Sequence, residues 1–179
     1  MSNATYPNPG IKWGLIAAVV VIATGLFLYY TDQPTFFSLK FSLIQLLICA
    51  IAGLLAGLEQ KRHLGGFIGF KSGLQPIFTT FVIGTLVGIA LTYIIVNFVD
   101  PELPARMKAM DLKILEEMSK THQGPGVTEG ELDAQVTQLK QSDYSITFVK
   151  SMLSYFIGLF LGFVVAAILA VVIRRKRIA

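Results

Sequence analysis

Four long apolar runs constrain the fold of this chain more than any other feature of its sequence. They cover residues 11–30, 41–58, 76–99 and 149–173, and none of them contains Asp, Glu or Arg. Each has about the length of 20 residues that carries a helix across roughly 30 Å of hydrocarbon. The runs also lack the two-residue alternation of barrel strands. We therefore expect an all-α integral membrane protein with four transmembrane helices.

The composition indicates what these runs face. Hydrophobic residues make up 54% of the chain and charged residues only 15%, whereas a soluble domain carries about 25% charged residues. The excess apolar residues are expected to face the lipid bilayer. We expect the first run to remain as an anchor, because it is longer than a typical signal h-region and ends in "LFLYYTDQP", without a small-x-small cleavage site.

The charges predict an orientation in the membrane. Basic residues cluster at Lys12, at Lys61, Arg62 and Lys71, and in the tail at 174–177, while residues 100–148 carry nine acids and five bases, a net charge of 5 minus 9, or −4. By the positive-inside rule, both termini are expected to be cytoplasmic and residues 100–148 external. The predicted location is the bacterial inner membrane, and the basic residues favour contact with anionic lipid rather than nucleic acid.

Residues 65–73, "GGFIGFKSG", come within one residue of the phosphate-binding pattern G-x-x-x-x-G-K-[ST], with Phe70 in place of the second glycine. That pattern needs a preceding strand and bare backbone close to the phosphates. Here a membrane helix is predicted to precede it, and Phe70 brings an aromatic ring. We therefore interpret the stretch as a cytoplasmic hinge before the third helix, with Phe67, Ile68 and Phe70 in the membrane interface and Lys71 among the headgroups.

The same stretch carries a family resemblance. A short four-helix chain with "GGFIGFKSG" before the third helix, "NFVDPEL" after it, an external helical stretch and a basic C-terminus resembles the bacterial membrane family of domain of unknown function 4199 (DUF4199). The resemblance covers nearly the whole chain and implies the same four-helix topology. It implies no catalytic residue, because that family has no established activity.

Small residues recur at four-residue spacing in three of the four predicted helices. The pairs are Gly53 and Gly57, Gly84 and Gly88, and Gly158 and Gly162. Such faces allow helix backbones to approach closely in lipid. We favour packing within one bundle, and a homo-oligomer formed through these faces is the alternative.

Candidate chemistry is sparse. The predicted spans contain no acid, histidine or arginine of the kind that couples transport to protons or ions. Cys49, His63 and His122 are predicted to lie too far apart for a metal site. No catalytic, cofactor-binding or metal-binding residue is therefore predicted. Gln45 and Asn97 are the best candidates for a polar site, although hydrogen bonding between helices is the simpler role for both.

The connection between the third and fourth spans is predicted to be an external amphipathic helical hairpin. Apolar residues at helical spacing mark a first helix that starts near Pro104: Leu103, Met107, Met110, Ile114 and Met118. Thr128 and Glu131 match a capping box for a second helix, with Val127 and Leu132 as a hydrophobic staple and a stripe of Leu132, Val136 and Leu139. These apolar faces either pack on each other, lie on the membrane or dock a partner, for which the adaptable Met side chains are suited.

Three functions remain open at this point. The first is a non-enzymatic accessory or assembly subunit of the cell envelope, in a single membrane domain 1–179 whose inserted hairpin, residues 100–148, contacts another membrane or envelope protein. The second is a small permease or lipid-handling protein with an uncharged pathway. The third is a subunit of a membrane enzyme that needs a partner chain. The sequence favours the first.

Overall fold

The computed structural model of this chain describes residues 8–121 and 129–174, with side chains described except at 119–121 and 129–133. The described residues form helices and no strand. In chain order the helices are α1 (Pro9–Thr31), α2 (Gln33–Phe36), α3 (Leu39–His63), α4 (Phe70–Ile94), a π-helix (Ile95–Val99), α5 (Leu103–Thr121), α6 (Glu129–Gln141) and α7 (Phe148–Ile173). The all-α prediction is confirmed.

Four of the described helices are long and apolar enough to cross a membrane, as predicted. They are Pro9–Thr31, Leu39–His63, Phe70–Val99 and Phe148–Ile173. Their outer faces are as apolar as their inner faces: Val19 and Phe160, for example, are 66% and 69% exposed. A helix that is apolar all round is typical of a membrane span.

The helices extend beyond the predicted apolar runs. The third span, predicted from Pro76, begins six residues earlier at Phe70 and contains Pro76 in its second turn. The second span, predicted to end at residue 58, continues to His63 with basic residues in its last turn, where cations favourably meet the negative end of the helix dipole. Helical hydrogen bonding thus continues into polar residues that an apolar run does not mark.

A short helix, α2, was not predicted. Asp32 accepts a hydrogen bond from Thr35 N over 3.2 Å and caps it, and Pro34 occupies the second helical position, where a missing N–H costs nothing. Asp32 lies outside the spans, and its hydrogen bonds from Thr35 lower the pKa of its carboxyl group.

Contacts divide the chain into two compact units. The first contains Met1–Thr92 and Phe148–Ala179, and the second contains Tyr93–Thr147. In the first unit a buried core joins α3, α4 and α7 around Cys49, Ile77, Phe81 and Ala166. Ile68 also belongs to this core at 1% exposure, because its side chain packs inward from the loop between α3 and α4; its position at the depth of the membrane interface stays a prediction.

Candidate functional site

The last turn of the long α4 widens into the π-helix. The N–H of Asp100 closes this turn by donating to Ile95 O over 2.7 Å. Because proline disfavours helical geometry in the residue before it, Asp100 leaves the helix with φ −142° and ψ 76° ahead of Pro101. π-helical turns are frequent at functional positions, which makes the second unit a candidate site.

Asn97 lies within the π-helix and connects it to the segment that follows α6. Its Nδ2 donates to Tyr93 O and to Ile146 O, each over 3.0 Å. A side-chain amide nitrogen carries two N–H groups, so both donors are used. The role of Asn97 in this structure is therefore to hold the irregular residues 142–147 against the end of the π-helix.

Lys108 and Tyr144 hold the same segment against α5. Lys108 Nζ donates to Lys140 O over 2.8 Å and to Ser142 O over 2.7 Å, which satisfies carbonyls at the C-terminus of α6. Tyr144 Oη donates to Asp111 Oδ2 over 2.8 Å. Burial, together with this hydrogen bond to a carboxylate, raises the pKa of Tyr144 to about 12. The phenol therefore stays protonated near neutral pH and acts as a donor, not as a base.

These residues enclose a pocket of about 410 Å³ within the second unit. Its wall includes Asn97, Lys108, Asp143 and Ser145 beside prolines and aliphatic side chains. Asp143 accepts hydrogen bonds from both the N–H and the hydroxyl of Ser145, each over 2.9 Å. The polar groups of the wall thus hold the segment in shape, and the described residues contain no cluster of three His, Cys, Asp or Glu suited to a metal ion.

The predicted apolar stripe of α5 divides into a buried and an exposed part. Leu103 and Met107 are buried, at 0% and 8% exposure, whereas Met110, Ile114 and Met118 are 43%, 46% and 39% exposed. The three exposed residues share one helix face, because they are four residues apart. We call these three residues the exposed stripe.

Helix α6 contacts α5. Val136 is buried and Leu139 is half-buried, while Lys140 Nζ forms an ion pair with Glu116 on α5 over 3.4 Å. The predicted cap and staple residues Thr128 and Val127, and the side chain of Leu132, lie outside the described residues.

The structure places all six predicted glycines in contacts between helices of the first unit. A Cβ atom at Gly53 or Gly57 would meet Ile77, one at Gly84 would come within 2.5 Å of Cys49 Sγ, and one at Gly88 would collide with the amide of Gln45. Gly158 lies against Thr85 and Gly162 against Phe81. These glycines therefore allow close approach of α3, α4 and α7 within one chain.

A charged cluster at one end of the first unit was missed by sequence reasoning. Glu59 on α3 accepts hydrogen bonds from Lys12 Nζ at 3.0 Å and from Trp13 Nε1 at 2.6 Å, both on α1. At the same end, Lys61 Nζ donates to Ile173 O at the end of α7 over 3.0 Å. A signal was present, since Trp13 is the chain's only tryptophan and Glu59 is the one acid between residues 33 and 99.

The near-match to the phosphate-binding pattern has a different structural context from a phosphate site. Helix α3 precedes it, and Gly65 and Gly66 adopt φ of 70° and 87° in the turn, a region that favours glycine. Lys71 and Ser72 are exposed in the first turn of α4 rather than in a hinge before it.

Comparison with known proteins shows the family. A family model described as "Protein of unknown function (DUF4199)" matches residues 12–175, so the chain belongs to this family and the predicted resemblance is confirmed. No curated protein and no solved structure matches the chain.

Proposed function

We propose that this member of the DUF4199 family is a non-enzymatic accessory or assembly subunit of the bacterial cell envelope. In this proposal the chain is held in the inner membrane by its four apolar helices, and the external hairpin of α5 and α6 is its interaction module. Its partner is another membrane or envelope protein that presents an apolar surface.

The exposed stripe of α5 is the observation that supports this proposal. Helix α6 contacts α5, yet Met110, Ile114 and Met118 each keep about two fifths of their surface exposed. Apolar side chains that are exposed together on one face mark interaction surfaces, and flexible Met side chains adapt to the shape of a partner. In the neighbouring pocket the hydroxyl of Ser145 and the carboxylate of Asp143 bond to each other and hold the segment in shape, which favours a binding role for the second unit.

The distribution of charge supports the proposed orientation. Lys12, Lys61 and the end of α7 lie at one end of the first unit, because Lys12 bonds to Glu59 on α3 and Lys61 bonds to Ile173. Basic residues favour the cytoplasmic side, so both termini are cytoplasmic and residues 100–148 are external. Reporter fusions at Gly65 and after Ala179 should score as cytoplasmic, and a fusion near Gly124 should score as external.

Site-specific photo-crosslinking in intact membranes tests the interaction module. A photoreactive amino acid at Met110 should give one dominant crosslinked partner in mass spectrometry, whereas the same group at Ala109, which is exposed but off the stripe, should give little. Met110→Glu with Ile114→Glu should remove a stoichiometric partner from mild-detergent preparations, because it places charge on the stripe. Ala109→Glu is the matched control and should retain it.

The outcomes separate the competing functions. Retention of the same partner by the doubly charged variant would contradict docking through the stripe. A crosslink to a second copy of this chain would replace the envelope partner with a homo-oligomer. If no stoichiometric partner is found with the unsubstituted chain, the accessory-subunit proposal is wrong and a small permease or lipid-handling protein is favoured.

A further inference from the structure

A second pocket, with a volume of about 180 Å³, opens on the surface of the first unit between α3, α4 and α7, and two of its lining residues, Ser42 and Ser154, are exposed. Four polar side chains line it: Ser42 and Gln45 on α3, Thr85 on α4 and Ser154 on α7. Leucine and isoleucine side chains form most of the remaining wall. The wall contains no ionisable residue, so it differs from the charged sites of ion-coupled transporters.

The hydroxyl groups of this pocket have no hydrogen-bond partner among the described residues. Other threonines of α4 each donate to the carbonyl four residues earlier: Thr79 to Gln75 O over 2.8 Å, Thr80 to Pro76 O over 3.1 Å and Thr92 to Gly88 O over 3.1 Å. Thr85, on the same helix, makes no such bond, and neither do Ser42 and Ser154. Their donors are therefore available to a molecule in the pocket.

Gln45 and Ser151 reinforce this observation. The amide of Gln45 is held against Gly88 and reaches Gly84 O only over 3.4 Å, which is long for an N–H to carbonyl bond. Ser151 lies one turn before Ser154 on α7, and its buried Oγ also has no partner among the described residues. Polar groups inside a bilayer normally find an internal partner, because lipid chains offer none. Ser151 itself does not line the pocket, but the unpaired hydroxyls of Ser42, Thr85 and Ser154 do, and they indicate a ligand that supplies acceptors.

The depth of the pocket restricts the chemistry of that ligand. Ser42 and Gln45 are the fourth and seventh residues of α3, which places them roughly 5 to 9 Å along the helix from its first residue at 1.5 Å per residue. Thr85, by contrast, lies near the middle of the span Phe70–Val99, so the pocket extends toward the bilayer interior from a mouth that begins near the polar boundary of the membrane. Uncharged carbonyl oxygens attached to long apolar chains are found there, in the ester groups of diacyl lipids and in the rings of isoprenoid quinones.

We propose that this pocket is a lateral binding site for an amphiphile that carries uncharged carbonyl oxygens on an apolar chain. The hydroxyls of Ser42, Thr85 and Ser154, with the amide of Gln45, donate to its carbonyl oxygens. The leucine and isoleucine side chains contact its chain, and any charged headgroup stays outside the pocket. This site is separate from the exposed stripe of α5 and does not depend on it.

Native mass spectrometry of the full chain, released from detergent in the presence of defined lipids, tests the proposal. The probes are an ester-linked phosphatidylethanolamine, its diether analogue, which lacks carbonyls, and a menaquinone. The variant combines Ser42→Ala, Thr85→Val and Ser154→Ala, and the control is Thr92→Val, which removes a hydroxyl already bonded within its helix. The variant should bind its carbonyl ligand at least tenfold more weakly than the unsubstituted chain, whereas the control should match the unsubstituted chain.

The probes distinguish the two sources of carbonyls. Preference for the ester lipid over the diether, lost in the triple variant, identifies a diacyl lipid, and the same loss for menaquinone identifies a quinone.

The ligand-free triple variant should be no less thermostable than the unsubstituted chain, because none of the three hydroxyls makes an internal bond. Equal binding of all probes by variant and unsubstituted chain, or no binding of either carbonyl probe, would overturn the proposal. An unstable ligand-free variant would also overturn it, because these hydroxyls would then be structural.

Discussion

Trp13 donates its indole N–H to Glu59 Oε2 over 2.6 Å and thereby joins α1 to α3. Lys12 approaches the same carboxylate at 3.0 Å and lies 5.5 Å from the centre of the Trp13 ring. Glu59 thus accepts a short hydrogen bond from the neutral, partly buried indole of Trp13. It also forms an ion pair with Lys12, whose side chain is 59% exposed. The two contacts should contribute very differently to stability.

We expect Trp13→Phe to lower the free energy of unfolding by about 1.5 to 3 kcal/mol, the range for a hydrogen bond to a charged group. Lys12→Gln should lower it by about 0 to 1 kcal/mol, because the ion pair is exposed. Reversible unfolding in mixed micelles measures both, and Glu59→Gln should retain much of the Trp13 contact because an amide oxygen still accepts. A larger loss for Lys12→Gln than for Trp13→Phe would show that the ion pair, not the indole, joins the helices.

The contact of Gly84 with Cys49 predicts a coupled pair of substitutions. Gly84→Ala should cost about 1 to 3 kcal/mol, as overpacking does, because its Cβ would come within 2.5 Å of Cys49 Sγ. Cys49→Ala removes that sulfur, so the double variant should be more stable than the sum of the single effects predicts. Gly69→Ala is the control, since nothing lies within 4 Å of its added Cβ. Additive effects of the two substitutions would mean that this contact does not limit the approach of α3 and α4.

The near-match to the phosphate-binding pattern is expected to be inert. Lys71→Arg and Ser72→Ala should leave the thermal unfolding temperature and partner binding nearly unchanged, because both side chains are exposed in the first turn of α4. Equilibrium dialysis with labelled ATP should detect no binding by the purified chain. Saturable ATP binding that disappears in Lys71→Ala would mean that this turn does hold phosphate.

The burial of Tyr144 and its hydrogen bond to Asp111 predict a pH dependence in the second unit. The pKa of Tyr144 is about 12 in the folded chain, against an ordinary value of 10.0. The protonated phenol is therefore favoured by folding, so its contribution to stability is complete below pH 10 and is lost as pH rises through about 12. Tyrosinate absorbance should contain a component with a midpoint near 12, and Tyr144→Phe should remove it. Asp111→Asn should shift that midpoint toward 10, and an unchanged midpoint would assign the raised pKa to burial alone.

The four spans could be predicted because their signal is local. Each helix in lipid satisfies its own backbone, so an apolar run of sufficient length is enough to indicate it. The ends of the spans could not be predicted in this way. Residues 59–63 and 70–75 are helical although they are partly polar, because their hydrogen bonds continue those of the preceding or following turns.

The π-helix and the second unit's pocket depend on contacts between distant residues. Asn97 and Ile146 are 49 positions apart, and Lys108 and Ser142 are 34 apart. A local sequence pattern does not indicate which distant residues will form hydrogen bonds with each other. The apolar stripe of α5 could be predicted from the spacing of its residues. That Leu103 and Met107 are buried while the later residues are exposed could not be predicted, because spacing identifies a helix face and not what covers it.

The hydrogen bond from Lys61 to Ile173 has a consequence for the order of biosynthesis. The two residues are 112 positions apart. A ribosome that adds about 5 to 20 residues per second therefore synthesises Ile173 roughly 6 to 22 s after Lys61. The third span is made during that interval, while Lys61 has no carbonyl from α7 to bond. Nascent chains arrested before residue 173 should therefore expose Lys61 to amine-reactive reagents, and released chains should protect it.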